Sequence, residues 1–309
     1  MSIESPVTYE QLQDLEDDFE EVELELIRQQ AKLSEPLYAK RAKLVADIPN
    51  FWPLVFEQSP SDIDEYIQPS DAALLLGSLR SLSVDRFELP DGDPRSISIR
   101  FDFGENDHFN NKTIEKKFWW RRAKDGWTGL VSEPVDIDWK SPDKDLTCGM
   151  LALARKIWVE DHDSGGKTKN KDESDAKKQL REHMNKTGLG GVSFFAWFGF
   201  RGRDISAQES CEATEAERKK RKARDDGKEV EDEADDDDDD VEDEYEYEVF
   251  PTADDLALAI AEDLWPGATK YFIQAQEQDA MSDAGFESDG EMSDDGEDER
   301  QKKRRRNGD

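Results

Sequence analysis

The stretch that decides the fold is LQDLEDDFEEVELELIRQQAKL, residues 12–33. Its apolar side chains recur at steps of three, four, three, four and seven residues, and mostly acidic and amide side chains lie between them. This spacing is the heptad repeat of a helix that lays one apolar stripe against another helix. The stripe residues are Leu12, Leu15, Phe19, Val22, Leu26 and Leu33.

The predicted helix covers residues 9–48 and bends at Pro36, because proline lacks an amide donor and crowds the preceding turn. At a rise of 1.5 Å per residue, a helix of that length is about 60 Å long. A small domain cannot cover a stripe of this length. The pattern therefore predicts a homodimer seam, parallel or antiparallel, and the alternative is a helix packed on its own core.

The sequence after this helix predicts an α+β body over residues 49–272, in which helices cover a roughly four-stranded antiparallel sheet. The apolar segment Ile48–Pro53 is expected to dock the long helix onto this body. The predicted strands are residues 96–103, 113–122, 127–131 and 135–139. The predicted helices are residues 61–66, 69–79 with Ser70 as its cap, 146–159, 174–184, and one that begins at Thr252 or Asp254. The aromatic segment 192–200 is predicted core.

Negative charge is concentrated in two windows of the sequence. The net charge is −34, and residues 231–248 and 277–299 contain many carboxylates and no base. Such a chain repels nucleic acid and attracts polycations. We therefore predict a charged insertion at 201–248, a polar loop at 161–175, and disordered ends at 1–8 and 273–309.

The end of the chain reverses the sign of the charge. The residues Lys302, Lys303, Arg304, Arg305 and Arg306 form a basic cluster typical of a nuclear localisation signal. We therefore expect a nuclear protein, with or without shuttling to the cytoplasm. The cluster Lys219–Lys222 is the alternative signal.

No catalytic or cofactor-binding constellation emerges from the sequence. Gly166-Lys167-Thr168 resembles the end of a phosphate-binding loop, but Asp161 occupies the position where that motif needs glycine. The two cysteines and three histidines have no metal-ligand spacing. We expect no enzyme activity, no cofactor and no metal. A signal peptide and a membrane span are not expected either.

The segment KKFWWRR, residues 116–122, interleaves bases with aromatic rings. Such a segment could bind nucleic acid by stacking. The preferred interpretation is a strand with its aromatic face in the core and its bases in water, because the surrounding charge is so acidic. We expect no sequence-specific nucleic-acid binding.

Five separated blocks resemble the nucleosome assembly protein family, and in particular its SET branch. The blocks are residues 36–41 with 48–52 (PLYAKR, IPNFW), 101–118 (FDF, FNNK, KF), 137–147 (IDWKS, KDLT), 193–198 (SFFAWF) and 262–272 (EDLWP, YF). The resemblance covers roughly residues 10–160 and 192–272. The stretch 201–248 departs from the family pattern, so its role is not inherited.

The resemblance implies a headphone-shaped dimer in which two long helices pair antiparallel and each carries an α/β "earmuff" domain. It also implies that the protein is a histone chaperone that binds core histones, either the tetramer-forming pair or the dimer pair. Some members of the SET branch bind a histone acetyltransferase or inhibit a phosphatase, so an inhibitor or cofactor of such an enzyme is the alternative. A non-selective acidic scaffold is a third hypothesis.

The candidate histone-binding residues lie in two places. The resemblance indicates the family's binding underside at Asp136, Asp138, Asp143 and Asp145, with Lys140 and Lys144 orienting the loop. Glu262 and Asp263 are second choices. In the acidic tail, Ser288-Asp289-Gly290-Glu291 resembles a site for an acid-directed kinase, where phosphate would add negative charge.

Overall fold

The computed structural model describes residues 7–163, 174–188, 191–225 and 247–290. Its longest element is helix α1, Tyr9–Val45, which is continuous through Pro36. Thr8 accepts from the amide of Gln11, and the Gln11 side chain accepts from the amide of Thr8, so the first turn is capped. The predicted helix is confirmed, although it ends at Val45 and not at residue 48.

The heptad stripe of α1 is not covered by the rest of the chain. Its six residues, Leu12 to Leu33, are between 48% and 71% exposed. Polar contacts hold the other faces of α1: Arg95 pairs with Glu20, and Arg221 pairs with both Asp18 and Glu21. The N-terminal half of α1 therefore contacts its own body through these polar residues, and the apolar stripe stays in solvent.

Three short helices follow: α2, Phe51–Glu57; α3, Ser61–Asp64; and α4, Pro69–Ser78. As expected, the segment after α1 docks it, because Phe51 and Trp52 are buried. Ser70 is not the cap of α4. The cap is Gln68, whose amide donates to the carboxylate of Asp71, because Pro69 already occupies the first helical position.

Arg41 fastens the C-terminal half of α1 to the body. Its Nη1 donates to the carbonyls of Trp265 at 2.5 Å and Pro266 at 3.1 Å. The guanidinium also lies 4.8 Å from the ring centroids of Tyr38 and Trp265. Desolvation lowers the pKa of Arg41. The two carbonyls and the ring faces replace the water that burial removes from the guanidinium.

The sheet has four antiparallel strands in the order β1-β2-β3-β4. They are β1, Leu79–Asp85; β2, Ile97–Phe103; β3, Thr113–Arg122; and β4, Thr128–Ser132. The sheet is as predicted, but one predicted strand is wrong. Residues 135–139 form a loop with a single bridge, Phe109 to Trp139. The strand Leu79–Asp85 was missed, since it follows α4 without an intervening turn signal.

The core lies on one face of β2 and β3. Ile99, Phe101 and Phe118 are fully buried there beneath the 3₁₀ helix Phe194–Gly199. The prediction that residues 192–200 are core is confirmed. Asp71 is completely buried and fixes this aromatic segment, because its carboxylate accepts from the Ser193 hydroxyl at 2.6 Å and the Phe194 amide at 2.8 Å.

Five further α-helices follow in the described part of the chain. They are α5, Met150–Asp163; α6, Asp175–Thr187; α7, Ala207–Asp225; α8, Ala253–Ala259, which continues into a π turn, Ile260–Leu264; and α9, Ala268–Gly290. None of the helices in the described ranges is long and apolar enough to cross a membrane.

Two predicted boundaries need correction. The charged insertion at 201–248 is in part an ordered helix, because α7 packs against β3 and Arg122 donates its amide to Ser210. The acidic tail does not begin at residue 273. The helix α9 continues past it, with Ala275 buried and Gln278 bonded to Gln58. The expectations for residues 226–246 and 291–309, the second of which includes the basic cluster, lie outside the described residues.

Lys116 is the main surprise within the sheet, because it is buried where a base in water was expected. Its Nζ donates to the carbonyls of Glu133 at 2.7 Å, Phe198 at 3.1 Å and Phe200 at 2.5 Å. Glu248, the last residue of the first acidic window, is also buried and accepts from the amides of Arg201 and Gly202. The two groups connect β3, the aromatic segment and the chain before α8.

The buried pair gives a testable pH dependence. Burial raises the pKa of Glu248 to about 7 and lowers the pKa of Lys116 to about 7. Between about pH 4.5 and 7 the folded state keeps a proton on Glu248 that the unfolded state releases, so this group makes stability fall as pH rises.

We expect Glu248→Gln to remove this loss of stability with rising pH. The free energy of unfolding of the variant relative to the parent should increase from pH 5 to pH 7.5 by about 1 kcal/mol or more, since one pKa unit corresponds to ~1.36 kcal/mol. Urea denaturation at several pH values measures it, with the exposed Glu57→Gln as control. Parallel pH profiles for Glu248→Gln and the parent would contradict the assignment.

Candidate functional site

Two loops at one end of the sheet join to form a single surface, which we call the ledge and define as residues 104–112 and 135–149. Backbone bonds connect them: the amide of Asn110 donates to the carbonyl of Asp138 at 2.9 Å, and the amide of Lys140 to that of His108 at 2.8 Å. Beneath them, the rings of Phe109 and Trp139 pack edge to face, 5.7 Å apart. The ledge is therefore built on the core and is not a free loop.

Side chains reinforce the same junction. The Asp138 amide donates to Asn111 Oδ1 at 2.7 Å, and Asn110 Nδ2 donates to the Asp138 carboxylate at 3.0 Å. Lys140 Nζ donates to the carbonyl of Asn106. Lys144 contributes its backbone, since its carbonyl lies 2.9 Å from His108 Nδ1. Of the two lysines proposed to orient this loop, only Lys140 does so through its side chain.

Carboxylates project from the ledge into solvent. Asp136, Asp138 and Asp143 are exposed. A hydrogen bond from Ser141 holds the pKa of Asp143 below its ordinary value, so this group remains ionised across the physiological pH range. Asp136 forms an ion pair with Arg155 at 2.5 Å. These groups form a rigid acidic surface rather than a cleft.

Asp145 differs from the other ledge acids because its carboxylate is already occupied. Its oxygens accept from the amide of Thr147 at 2.8 Å, the hydroxyl of Thr147 at 2.6 Å and the amide of Gly149 at 2.9 Å. These groups precede the first turn of α5, whose amides would otherwise lack acceptors. The geometry assigns Asp145 a structural role in holding the ledge against α5.

Glu262 and Asp263 are not part of the ledge. They lie on the π turn Ile260–Leu264, where Glu262 pairs with Arg86 at 3.4 Å. Asp263 accepts from the hydroxyl of Tyr271 at 2.9 Å. Burial and this carboxylate together raise the pKa of Tyr271 to about 12. The two predicted clusters are therefore separate surfaces.

Two acids of the ledge were not among the predicted site residues. Glu105 and Asp107 are exposed on the loop that bonds to Lys140 and Lys144. In the sequence, residues 104–112 stand only as the connection between two predicted strands. Its contact with residues 135–149 depends on long-range pairing, for which the local sequence carries no signal.

Two alternatives considered from the sequence, a metal site and a stacking surface for nucleic acid, fall on described residues. Across residues 7–163, 174–188, 191–225 and 247–290, no group of three or more His, Cys, Asp or Glu side chains could hold a metal ion. The stacking surface considered for residues 116–122 is also occupied, because Phe118 is buried and Trp119 packs against Phe87, 5.7 Å between centroids.

Comparison with known proteins gives several relatives. Over 154 residues the chain is 32% identical to a Schizosaccharomyces pombe protein described as a candidate nucleosome assembly protein, and the match spans 47% of this chain and 62% of that relative. It is 36% identical to Protein SET of Drosophila melanogaster over 114 residues, 35% of this chain and 39% of that one. The identity to Vacuolar protein sorting-associated protein 75 of Saccharomyces cerevisiae is 24%, over 91% of this chain and 83% of the relative.

Solved structures share the fold. A crystal structure of Ccp1 has a TM-score of 0.51 at 25% identity and covers 87% of this chain and 95% of its own. The crystal structure of the Vps75 histone chaperone has a TM-score of 0.50 at 22% identity and covers 86% and 97%. The model for the nucleosome assembly protein family matches residues 45–275, from the end of α1 to the buried part of α9. The chain therefore belongs to the nucleosome assembly protein family.

Proposed function

We propose that this protein is a histone chaperone that binds core histones on the ledge. The observation that carries the proposal is the rigid acidic surface itself: two loops locked together by hydrogen bonds present Glu105, Asp107, Asp138 and Asp143 to solvent. Membership of the family and the fold shared with the Vps75 histone chaperone support it.

The charge of the partner explains why such a surface is useful. Histones hold DNA through the phosphate backbone with many Lys and Arg side chains, and this contact weakens steeply with salt. A chaperone must compete for the same side chains without trapping the histone. Exposed ion pairs contribute only ~0.2–1 kcal/mol each, so several together bind firmly while each exchanges quickly.

The acidic windows add to this surface. The second window begins on α9 with Glu277 and Asp279, which are exposed. Tethered carboxylates raise the local concentration of partners for a histone held on the ledge. In this account the windows increase capture and the ledge supplies selectivity. Within the first window Glu248 is excluded from this role by burial.

The alternative is an inhibitor or cofactor of a histone acetyltransferase or a phosphatase. The two functions make different predictions for purified components. A chaperone prevents aggregation of core histones on DNA with no enzyme present, whereas an enzyme cofactor changes a turnover rate and has little effect on histone solubility.

We propose that α1 forms a homodimer through its exposed stripe. An apolar row of this length is unusual on the surface of a monomer, and the polar contacts of α1 to its own body leave that row free. Localisation in the nucleus is proposed from the cluster at 302–306. The alternative cluster is less available, because Arg221 in its middle pairs with α1.

Neutralising the ledge should weaken histone binding. The combined variant Glu105→Gln, Asp107→Asn, Asp138→Asn and Asp143→Asn removes the carboxylates of four proposed ion pairs with histone Lys and Arg side chains. We therefore expect the Kd for core histones to rise about tenfold or more at physiological salt. A fluorescence titration against each histone pair measures it.

The matched control removes four exposed charges elsewhere: Glu16, Glu25, Glu57 and Glu65, each to Gln. It should bind within about twofold of the parent, which corresponds to ~0.4 kcal/mol. Equal losses in the two variants would show that only net charge matters and would favour the acidic scaffold.

Asp145 should behave differently from its neighbours. Asp145→Ala removes the acceptor for two amides and a hydroxyl, so it should lower the free energy of unfolding by about 1–3 kcal/mol. Asp143→Ala, which removes an exposed group, should change it by less than ~0.5 kcal/mol. Urea denaturation compares them, and equal stabilities would contradict the structural role of Asp145.

Charging the stripe should separate the protomers. The variant Leu15→Glu, Val22→Glu and Leu26→Glu places three carboxylates in the proposed seam, where desolvating them is costly. Sedimentation velocity should give a monomer, while Glu16→Gln with Glu25→Gln leaves a dimer. A dimer that persists in the charged variant would rule out this seam.

A further inference from the structure

A large groove separates α1 from the sheet. The cavity has a volume of about 1230 Å³ and lies between α1, the start of α2, β1 and the π turn. Pockets for small molecules usually measure about 300–1,000 Å³, so this groove is large enough for a peptide segment. It is distinct from the ledge, with which it shares no residue.

One wall of the groove is an open sheet edge. β1 is the first strand in the sheet order and pairs only with β2. The Leu79 amide donates to the Leu75 carbonyl of α4, but within the described part of the chain no backbone bond joins residues 80–85 to any backbone outside that pairing. The outward amides and carbonyls of this edge are therefore available to an added strand.

The opposite wall is apolar. Ile27, Ala31 and Val45 of α1 face the groove and are half-buried, and Trp52 and Trp265 close one end. A strand laid along β1 would turn alternate side chains toward this wall and the others toward solvent.

The rim carries unpaired negative charge. Glu23, Glu35, Asp47 and Asp85 line the groove and are exposed. Among the residues that the structure describes, none forms a hydrogen bond or an ion pair with these four side chains. Of the three arginines in the lining, Arg41 donates to two carbonyls, Arg86 donates to Glu262 and the Pro94 carbonyl, and Arg80 is exposed. The four rim carboxylates therefore outnumber the one exposed arginine.

We propose that this groove binds the extended Lys- and Arg-rich tail of a bound histone by strand addition to β1. The open edge supplies backbone hydrogen bonds, and the four rim carboxylates pair with the basic side chains. The proposal rests on the proposed function, because the histone held by the ledge supplies the tail.

The test separates backbone pairing from charge attraction. A fluorescein-labelled peptide of about eight residues, in which lysine alternates with threonine and alanine, is titrated against the full chain; this length matches a typical strand. A second peptide of the same sequence carries N-methyl groups on alternate amides, which removes donors and keeps the charge. We expect the methylated peptide to bind at least about tenfold more weakly. Equal affinities would overturn strand addition.

Variants locate the site. Glu35→Gln with Asp85→Asn should weaken the unmethylated peptide severalfold, and the control Glu16→Gln with Glu25→Gln, which removes the same charge outside the groove, should not. A loss of the same size in both variants would show non-specific attraction and overturn the proposal.

Two other occupants give different outcomes. Leu26 itself lines the groove, so the monomer for this comparison carries Leu15→Glu with Val22→Glu only. If that monomer binds the peptide and the parent dimer does not, the partner's helix fills the groove and the proposal fails. If glutamine at all five positions 302–306 of the full chain tightens peptide binding tenfold, the chain's own basic end is the occupant, and the proposal again fails.

Histones with and without their tails separate this proposal from the proposed function. Suppose that tailless histones still bind, that the ledge variant weakens this binding, and that the peptide does not bind. In that case only the groove proposal is overturned. If neutralising the ledge does not weaken the binding of intact histones, the proposed function is overturned.

Discussion

The structure depends on burial of the aromatic segment Phe194–Gly199 beneath the sheet. This segment is a short 3₁₀ helix, which leaves many backbone groups without partners inside the core. Charged side chains supply those partners: the Asp71 carboxylate accepts from Ser193 and Phe194, and the Lys116 ammonium donates to Phe198 and Phe200. An apolar residue at either position would leave buried polar groups unsatisfied, at ~1–3 kcal/mol each.

These contacts also position the ledge. Phe195 lies against Phe109 and Trp139, with ring centroids 5.8 and 6.0 Å apart, and both of those rings belong to the ledge. The acidic surface is therefore carried directly by the core. The backbone that bears its carboxylates is therefore joined to the core, as the proposed selective binding of histones on the ledge requires.

The sequence predicted what repeats or alternates. The heptad stripe indicated α1, and the alternation of Ile97 to Phe103 indicated β2. Prediction from the sequence failed where contacts between distant residues decide the environment of a side chain. The alternation places Lys116 on the same face of β3 as the buried Ile114 and Phe118, but an ammonium in a core is not expected from local sequence, and only three distant carbonyls explain how it is accommodated. Asp145 was grouped with its neighbours, since a local cap and an exposed acid look alike in sequence. Glu105 and Asp107 became visible only through the junction of two loops.

Hydrogen exchange with and without the tetramer-forming histone pair tests the central claim most directly, because it reports on the folded body and the acidic windows at once. The account predicts that amide exchange slows on histone binding in residues 104–112 and 135–149. Slower exchange confined to residues 226–246 and 291–309, with no change in the ledge, would contradict it.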